Sequence, residues 1–240
     1  MSNLQNMRAI VLAAGLGTRM RPLTEHTPKA MIQVGSKRLI DHVLDWIGDA
    51  GISDAVVNTH YLAPILEAHL RARVHPRITL SHEEVLLETG GGICKALPLL
   101  GTQPFFSANS DTICLNGSTH ALQRLHDAWD DAAMDALLLL QPVADAVGYD
   151  GAGDFHLLDD GTAVRKRVGE SAPYVFTGIQ MIHPRLFAGA PQAEAFSMNL
   201  LYNRGMRVDG SLPRIKAIVH DGKWLHVGDP TAVKLAEQYL

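Results

Sequence analysis

The chain has 240 residues, 47% hydrophobic and 19% charged, with a formal net charge of −4, so it can bury the core of one large domain and is not an extended disordered protein. Without a basic excess it does not capture nucleic acid by bulk charge, and no apolar run approaches the ~20 residues that a membrane helix requires. Cys94 and Cys114 fit neither a disulfide framework nor a CxxC metal site, and the opening residues 1–6 show no basic segment leading into an apolar one. A cytoplasmic protein with neither nucleic-acid nor membrane partners is expected.

In chain order, Arg8–Leu12 reads as a buried strand that runs directly into a glycine loop. Leu39, Ile40, Val43, Leu44 and Ile47 keep helical spacing, and Gly51 stops that helix. Residues 55–57 form a second buried strand, 62–70 a helix and 77–81 a strand. An apparent helix at 93–97 follows three consecutive glycines. Residues 104–108 read as a strand, 119–129 as a helix and 136–140 as a strand. This alternation predicts a mostly parallel sheet covered by helices on both faces. Beyond 140 the character changes. Segments 155–158 and 162–167 flank Asp159-Asp160-Gly161, a hairpin signal, and 174–182 is a further strand. Segments 215–219 and 223–227 around Asp221-Gly222 suggest a second hairpin. Asp229 can cap a closing helix with Pro230 in its first turn.

The sharpest signal is Leu12-Ala13-Ala14-Gly15-Leu16-Gly17-Thr18-Arg19-Met20-Arg21-Pro22-Leu23-Thr24, completed by Pro28-Lys29. Gly15 and Gly17 let backbone approach a polyphosphate and offer N–H groups to it. The planar fork of Arg19 can reach phosphate oxygens, and Lys29 can supply a second cation if the loop folds back. A Walker A pattern is absent, and the dinucleotide fingerprint fails at Met20, where it needs glycine.

Leu12-Ala13-Ala14-Gly15-x-Gly17-Thr18-Arg19-x-x-Pro22-Leu23-Thr24-x-x-x-Pro28-Lys29 resembles the signature of the sugar-1-phosphate nucleotidyltransferases. The resemblance implies a Rossmann-like three-layer α/β/α domain with a mixed, mostly parallel sheet and a small antiparallel extension on the sugar side. It implies one domain over 1–240, with a nucleotide-binding half at 1–142 and a sugar-phosphate-binding half at 143–240. The implied reaction moves a nucleotidyl group from a nucleoside triphosphate to a sugar 1-phosphate and releases pyrophosphate. In it Arg19 and Lys29 stabilise charge at phosphorus, while Leu12, Ala13, Ala14, Gly15, Gly17 and Thr18 hold the nucleotide. Such chemistry needs alignment of two anions and charge neutralisation more than acid–base help, because the attacking phosphate is already a nucleophile.

The resemblance extends further along the chain. Leu86-Leu87-Glu88-Thr89-Gly90-Gly91-Gly92-Ile93 is expected as a loop against base and ribose, with Gly90 in contact. Its form is similar to a branch of short uridylyltransferases that use N-acetylmuramate 1-phosphate in cell-wall recycling. A guanylyltransferase acting on mannose 1-phosphate, and a catalytically silent nucleotide-sugar sensor, stay open as alternatives. Asn109-Ser110-Asp111 follows a buried strand, the place where ligands bind in open α/β sheets. Asn109 is implied near the nucleotide and Asp111 as a ligand to Mg²⁺. Gly153, Lys166, Thr177 and Gly178 match sugar-phosphate segments, although Arg165 stands where relatives often carry Glu. In Trp224-Leu225-His226-Val227-Gly228-Asp229-Pro230 the family's second metal-binding Asp is replaced by His226. An imidazole there implies tolerance of Mn²⁺ or Co²⁺. Asp229 is the less favoured ligand, since it also suits a helix cap. Lys37-Arg38 replaces a usual proline and is expected to affect a turn only.

Overall fold

A computed structural model describes residues 4–206 and 214–240; residues 1–3, part of the opening segment read for a leader, lie outside the described residues. The first strand, β1 (Arg8–Leu12), carries apolar side chains on both faces, and Ala9, Ile10 and Val11 are all buried. Its two faces feed different cores. Ala9 and Val11 pack into one with residues of the helices near 40–47, 66–70 and 121–125, while Ile10 packs into the other with Ile93 and Leu201. A strand covered on both sides in this way is the middle layer of a three-layer domain.

The remaining elements follow in order. A small ribbon, β2 (Gln33–Val34) and β3 (Lys37–Arg38), precedes α1 (Leu39–Asp49), so Lys37 and Arg38 sit in a strand instead of a turn. Then come β4 (Asp54–Thr59), α2 (Ala63–Arg71), β5 (Arg77–His82), α3 (Glu88–Leu100), β6 (Phe105–Asn109) and β7 (Thr112–Leu115). They are followed by α4 (Ala121–Asp127), β8 (Ala136–Pro142), β9 (Ala146–Val147), β10 (Phe155–Leu157), β11 (Ala163–Arg165) and β12 (Tyr174–Ile182). The chain closes with α5 (Asn199–Gly205), β13 (Ile215–Val219), β14 (Lys223–His226) and α6 (Pro230–Glu237).

Among the described residues the main sheet has nine strands. β6, β1, β4 and β5 run parallel, as the alternation predicts. β12 lies antiparallel between β6 and β8, and β13 pairs parallel to β8. The hairpin expected around 159–161 is present, with Phe155 opposite Arg165 and its outer face joined to β12 at Tyr174. β12 outruns β6 at this end: Ile179 pairs with Ala108, Gly178 faces Asn109, and Thr177 to Tyr174 continue past the end of β6. The antiparallel extension therefore stands beside the carboxyl ends of the parallel strands.

Two expectations are corrected. The strands around Asp221-Gly222 do not form a hairpin. β13 joins β8 in the main sheet, whereas β14 crosses to a second sheet with β7 and β9. The turn separates two sheets because each strand finds a better apolar partner elsewhere. Ile215 and Ala217 enter the core with Leu138 and Leu140, while Leu225 joins Met20, Ile113 and Ala236 in a third, smaller one. The second correction concerns the glycine triplet, which lies within the first turns of α3 and not in a loop.

Candidate functional site

The glycine loop leaves β1 at Leu12 and turns under the cleft. Gly17 has φ +64°, the left-handed region that glycine reaches without strain, and there it starts a short turn over Thr18–Met20. Thr24 donates its hydroxyl to the Gly17 carbonyl at 2.7 Å and closes the loop. Buried Met20 anchors it to the small core beneath. Around this loop lies a cleft of about 360 Å³, lined by Leu12, Ala13, Ala14, Gly15, Lys29 and Asn109 together with Asp111. Nothing stands within contact distance of the open side of Gly15, so a ligand can approach its backbone there. Gly17, Thr18 and Arg19 lie just past this wall, the latter two exposed.

Asp111 follows β6 at its carboxyl end, where the sequence expects it. Lys29 donates to its Oδ2 at 2.7 Å, and the two side chains are only 14% and 23% exposed. Burial would push the Asp111 carboxyl up, but Lys29, with help from His226 and Arg19, holds it below the usual carboxylate range. The Asp111 carbonyl accepts the Val227 N–H at 2.9 Å, and His226 pairs with Thr112 across β14 and β7. The substituted histidine therefore sits beside Asp111, as the motif implies. Burial pushes the His226 ring below its usual value; Asp111 opposes this, and Lys29 and Arg19 reinforce it. The His226 ring stacks on Trp224 at 5.5 Å between centroids.

Asp229 is the cap. Its Oδ1 accepts the N–H groups of Thr231 and Ala232 at 2.8 and 3.0 Å. Among the described residues no group of three or more His, Cys, Asp and Glu side chains converges as a metal cage. The Asp111 carboxylate suits Mg²⁺, which completes its shell with phosphate oxygens and water, whereas the His226 imidazole suits softer ions such as Mn²⁺ or Co²⁺.

Gly153, Lys166, Thr177 and Gly178, the residues expected at the sugar phosphate, are not among those that line this cleft. Gly153 donates its N–H to the Tyr149 hydroxyl at 3.1 Å, and the Tyr149 ring lies 6.2 Å from Trp224 and 6.3 Å from His226. Lys166 reaches the Ala152 carbonyl at 3.4 Å. The Thr177 hydroxyl is fully buried and donates to the Leu139 carbonyl at 2.8 Å, so its role is in the sheet. Gly178 backs onto the Asn109 side chain, leaving no room for a Cβ.

The α3 glycines serve close packing against a distant segment. The N–H groups of Gly90 and Gly91 donate to the Phe196 carbonyl at 2.8 and 3.1 Å. A Cβ at Gly90 would lie 2.4 Å from the Phe196 ring. Phe196 thus packs on the Cβ side of Gly90, and Leu86, Glu88, Thr89 and Ser197 line the cleft here. Sequence reasoning also missed Asn58, which lines the cleft from the end of β4 and accepts the Ala13 N–H at 2.6 Å. The signal was available: Asn58 is a polar residue ending a buried strand, as Asp111 nearly is. Ser197 carried no such signal.

Known proteins match this arrangement. A family model described as nucleotidyl transferase matches residues 8–152. An N-acetylmuramate alpha-1-phosphate uridylyltransferase from Caulobacter vibrioides is 45% identical over 237 residues, 97% of this chain and 96% of that one. A protein of the same name from Neisseria meningitidis serogroup B is 33% identical over 96% of this chain and 97% of its own. Among solved structures, a UDP-glucose pyrophosphorylase complexed with UDP-glucose shares the fold, with a TM-score of 0.78 over 97% of each chain at 18% identity.

Proposed function

This chain belongs to the nucleotidyl transferase family, and from that premise we propose that it transfers a uridylyl group from UTP to N-acetylmuramate 1-phosphate, forming UDP-N-acetylmuramate and pyrophosphate. The observation that carries the reaction is the packing of Lys29 against Asp111, with Arg19 and His226 close by, beside the glycine-loop cleft. Similarity running the full length of two uridylyltransferases supports the choice of substrates.

In the proposed reaction an oxygen of the sugar phosphate attacks the α-phosphorus in line. The new P–O bond forms as the bond to the bridging α–β oxygen breaks, and the electron pair leaves with pyrophosphate. Arg19 and Lys29 neutralise charge on the triphosphate as it builds. Leu12 to Thr18 hold the nucleotide with Asn109, while Gly153, Lys166 and Gly178 position the sugar phosphate. Thr177 supports them through the sheet. Asp111 and His226 would hold a divalent cation. When bound, that ion supplies charge neutralisation at the phosphates. Tyr149, tilted against Trp224 and edge-on to the His226 ring that stacks on it, links His226 and Trp224 to Gly153.

The test is a panel of four nucleoside triphosphates against several sugar 1-phosphates, scored by pyrophosphate release. UTP with N-acetylmuramate 1-phosphate should be preferred. A preference for GTP with mannose 1-phosphate would overturn the substrates while keeping the family. No release with any pair would leave a nucleotide-sugar binder.

A further inference from the structure

Glu83 lies just past β5, 1% exposed, and the mechanism above gives it no part. Its Oε1 accepts from Asn58 Nδ2 at 2.8 Å, and its Oε2 accepts the Leu87 N–H at 3.0 Å. Because Asn58 gives its amide to Glu83, its Oδ1 must face the other way, and there it accepts the Ala13 N–H at 2.6 Å. One carboxyl group thus ties two walls of the cleft together. One wall is the start of the glycine loop. The other is the turn into α3, where Leu86, Glu88 and Thr89 face the cleft. Gly92 leaves space for the tie: a Cβ there would lie 2.7 Å from Glu83 Oε1 and 2.8 Å from Asn58 Nδ2.

We propose that Glu83 is a positioning residue for nucleotide binding, which fixes the amide of Asn58 and through it the Ala13 peptide on one wall while pinning Leu87 on the other. The proposal rests on reading the cleft as the nucleotide site. A carboxyl group suits the task because both acceptors face donors. An amide at 83 brings one donor against another: at Leu87 if the amide oxygen faces Asn58, and otherwise at Asn58 or, if Asn58 flips, at Ala13. An aspartate at 58 brings two acceptors together. The double exchange, Glu83→Gln with Asn58→Asp, rebuilds every bond with the central polarity reversed. The new amide nitrogen at 83 donates to the new carboxylate at 58, whose other oxygen accepts the Ala13 N–H. The amide oxygen at 83 accepts the Leu87 N–H.

The experiment measures equilibrium UTP binding, the KM of each substrate and the melting temperature for the unmodified protein, E83Q, N58D and the double exchange. Each single change should weaken UTP binding by about tenfold or more, the scale of one buried hydrogen bond left unmade, with the sugar-phosphate KM unchanged. The double exchange should recover binding to within about threefold. Gly92→Ala, which crowds the tie without removing a partner, should act in the same direction and covers the case in which a single variant does not fold. Singles that melt earlier yet bind UTP normally would show a merely structural role and overturn the proposal. So would a double exchange no better than its worse parent. If the unmodified protein binds no nucleoside triphosphate, the reading of the cleft falls and this proposal with it.

Discussion

Lys29→Met removes one charge and keeps most of the side chain's volume. The lost contact is the 2.7 Å ion pair to Asp111, between side chains 14% and 23% exposed. At an effective dielectric near 20, unit charges that close attract by about 6 kcal/mol before desolvation is counted. Desolvation of both groups offsets much of this in the intact pair, but the substitution leaves the Asp111 carboxylate without its partner, and a loss of about 3 kcal/mol in folding stability is expected. The catalytic effect should be distinct from it. Removing one preorganised group that meets developing charge lowers turnover by about 10²–10³-fold. The assay is pyrophosphate release at saturating UTP and sugar 1-phosphate, run beside urea unfolding of the same preparations. Lys29→Arg keeps the charge in a different shape and should fall between the two. A variant that loses stability but turns over within about threefold of normal would refute the reasoning, since Lys29 would then serve only to hold Asp111.

Further outcomes follow from the same geometry. Asp111→Ala should abolish turnover with every divalent ion, and His226→Asp should shift preference from Mn²⁺ or Co²⁺ towards Mg²⁺, read as relative rates across the three metals. Asp229→Ala should cost about 1 kcal/mol through loss of its two capping bonds and leave turnover within about twofold; loss of metal-dependent activity instead would move the metal role to Asp229. Gly90→Ala drives a Cβ into the Phe196 ring and should cost about 1–3 kcal/mol in thermal unfolding, with no loss if the Phe196 segment is free to move. Asp135 offers a pH test away from the cleft. Burial would raise its carboxyl, but hydrogen bonds from Arg214 and Arg185 hold it below the usual range, so its stabilising contribution is present at neutral pH and fades as the pH drops through its depressed value. Asp135→Asn should therefore destabilise the protein at pH 7, and the gap should narrow below about pH 4 in urea unfolding.

The family, the parallel half of the sheet and the residues that wall the glycine-loop cleft were legible in the sequence. The run from Leu12 to Lys29 identified the loop, and Asp111 and His226 stand together as their motifs implied. The glycine triplet read as a loop, the hairpin at 221–222 and the missing Asn58 mark the limit. In each of these, a residue's role depends on a partner far away in the chain.

The sequence by itself determined whatever closes within a few residues. The left-handed turn at Gly17, the cap at Asp229 and the hairpin at 159–161 each satisfy their backbone groups locally, so composition and spacing suffice to specify them; the strand before the glycine loop is legible from its unbroken apolar run, although its backbone pairs with β4 and β6. Only the tertiary structure decided where the long-range partners lie. The glycine run becomes helix because the Phe196 carbonyl, over a hundred residues on, receives the N–H groups of Gly90 and Gly91. Strands 215–219 and 223–226 part because their apolar faces belong to different cores. Asn58 and Glu83 acquire meaning only when the ends of β4 and β5 meet the glycine loop. Burial makes these choices: an unmet donor or an exposed apolar face is costly only once water is excluded, and which segments exclude it is a property of the assembled fold.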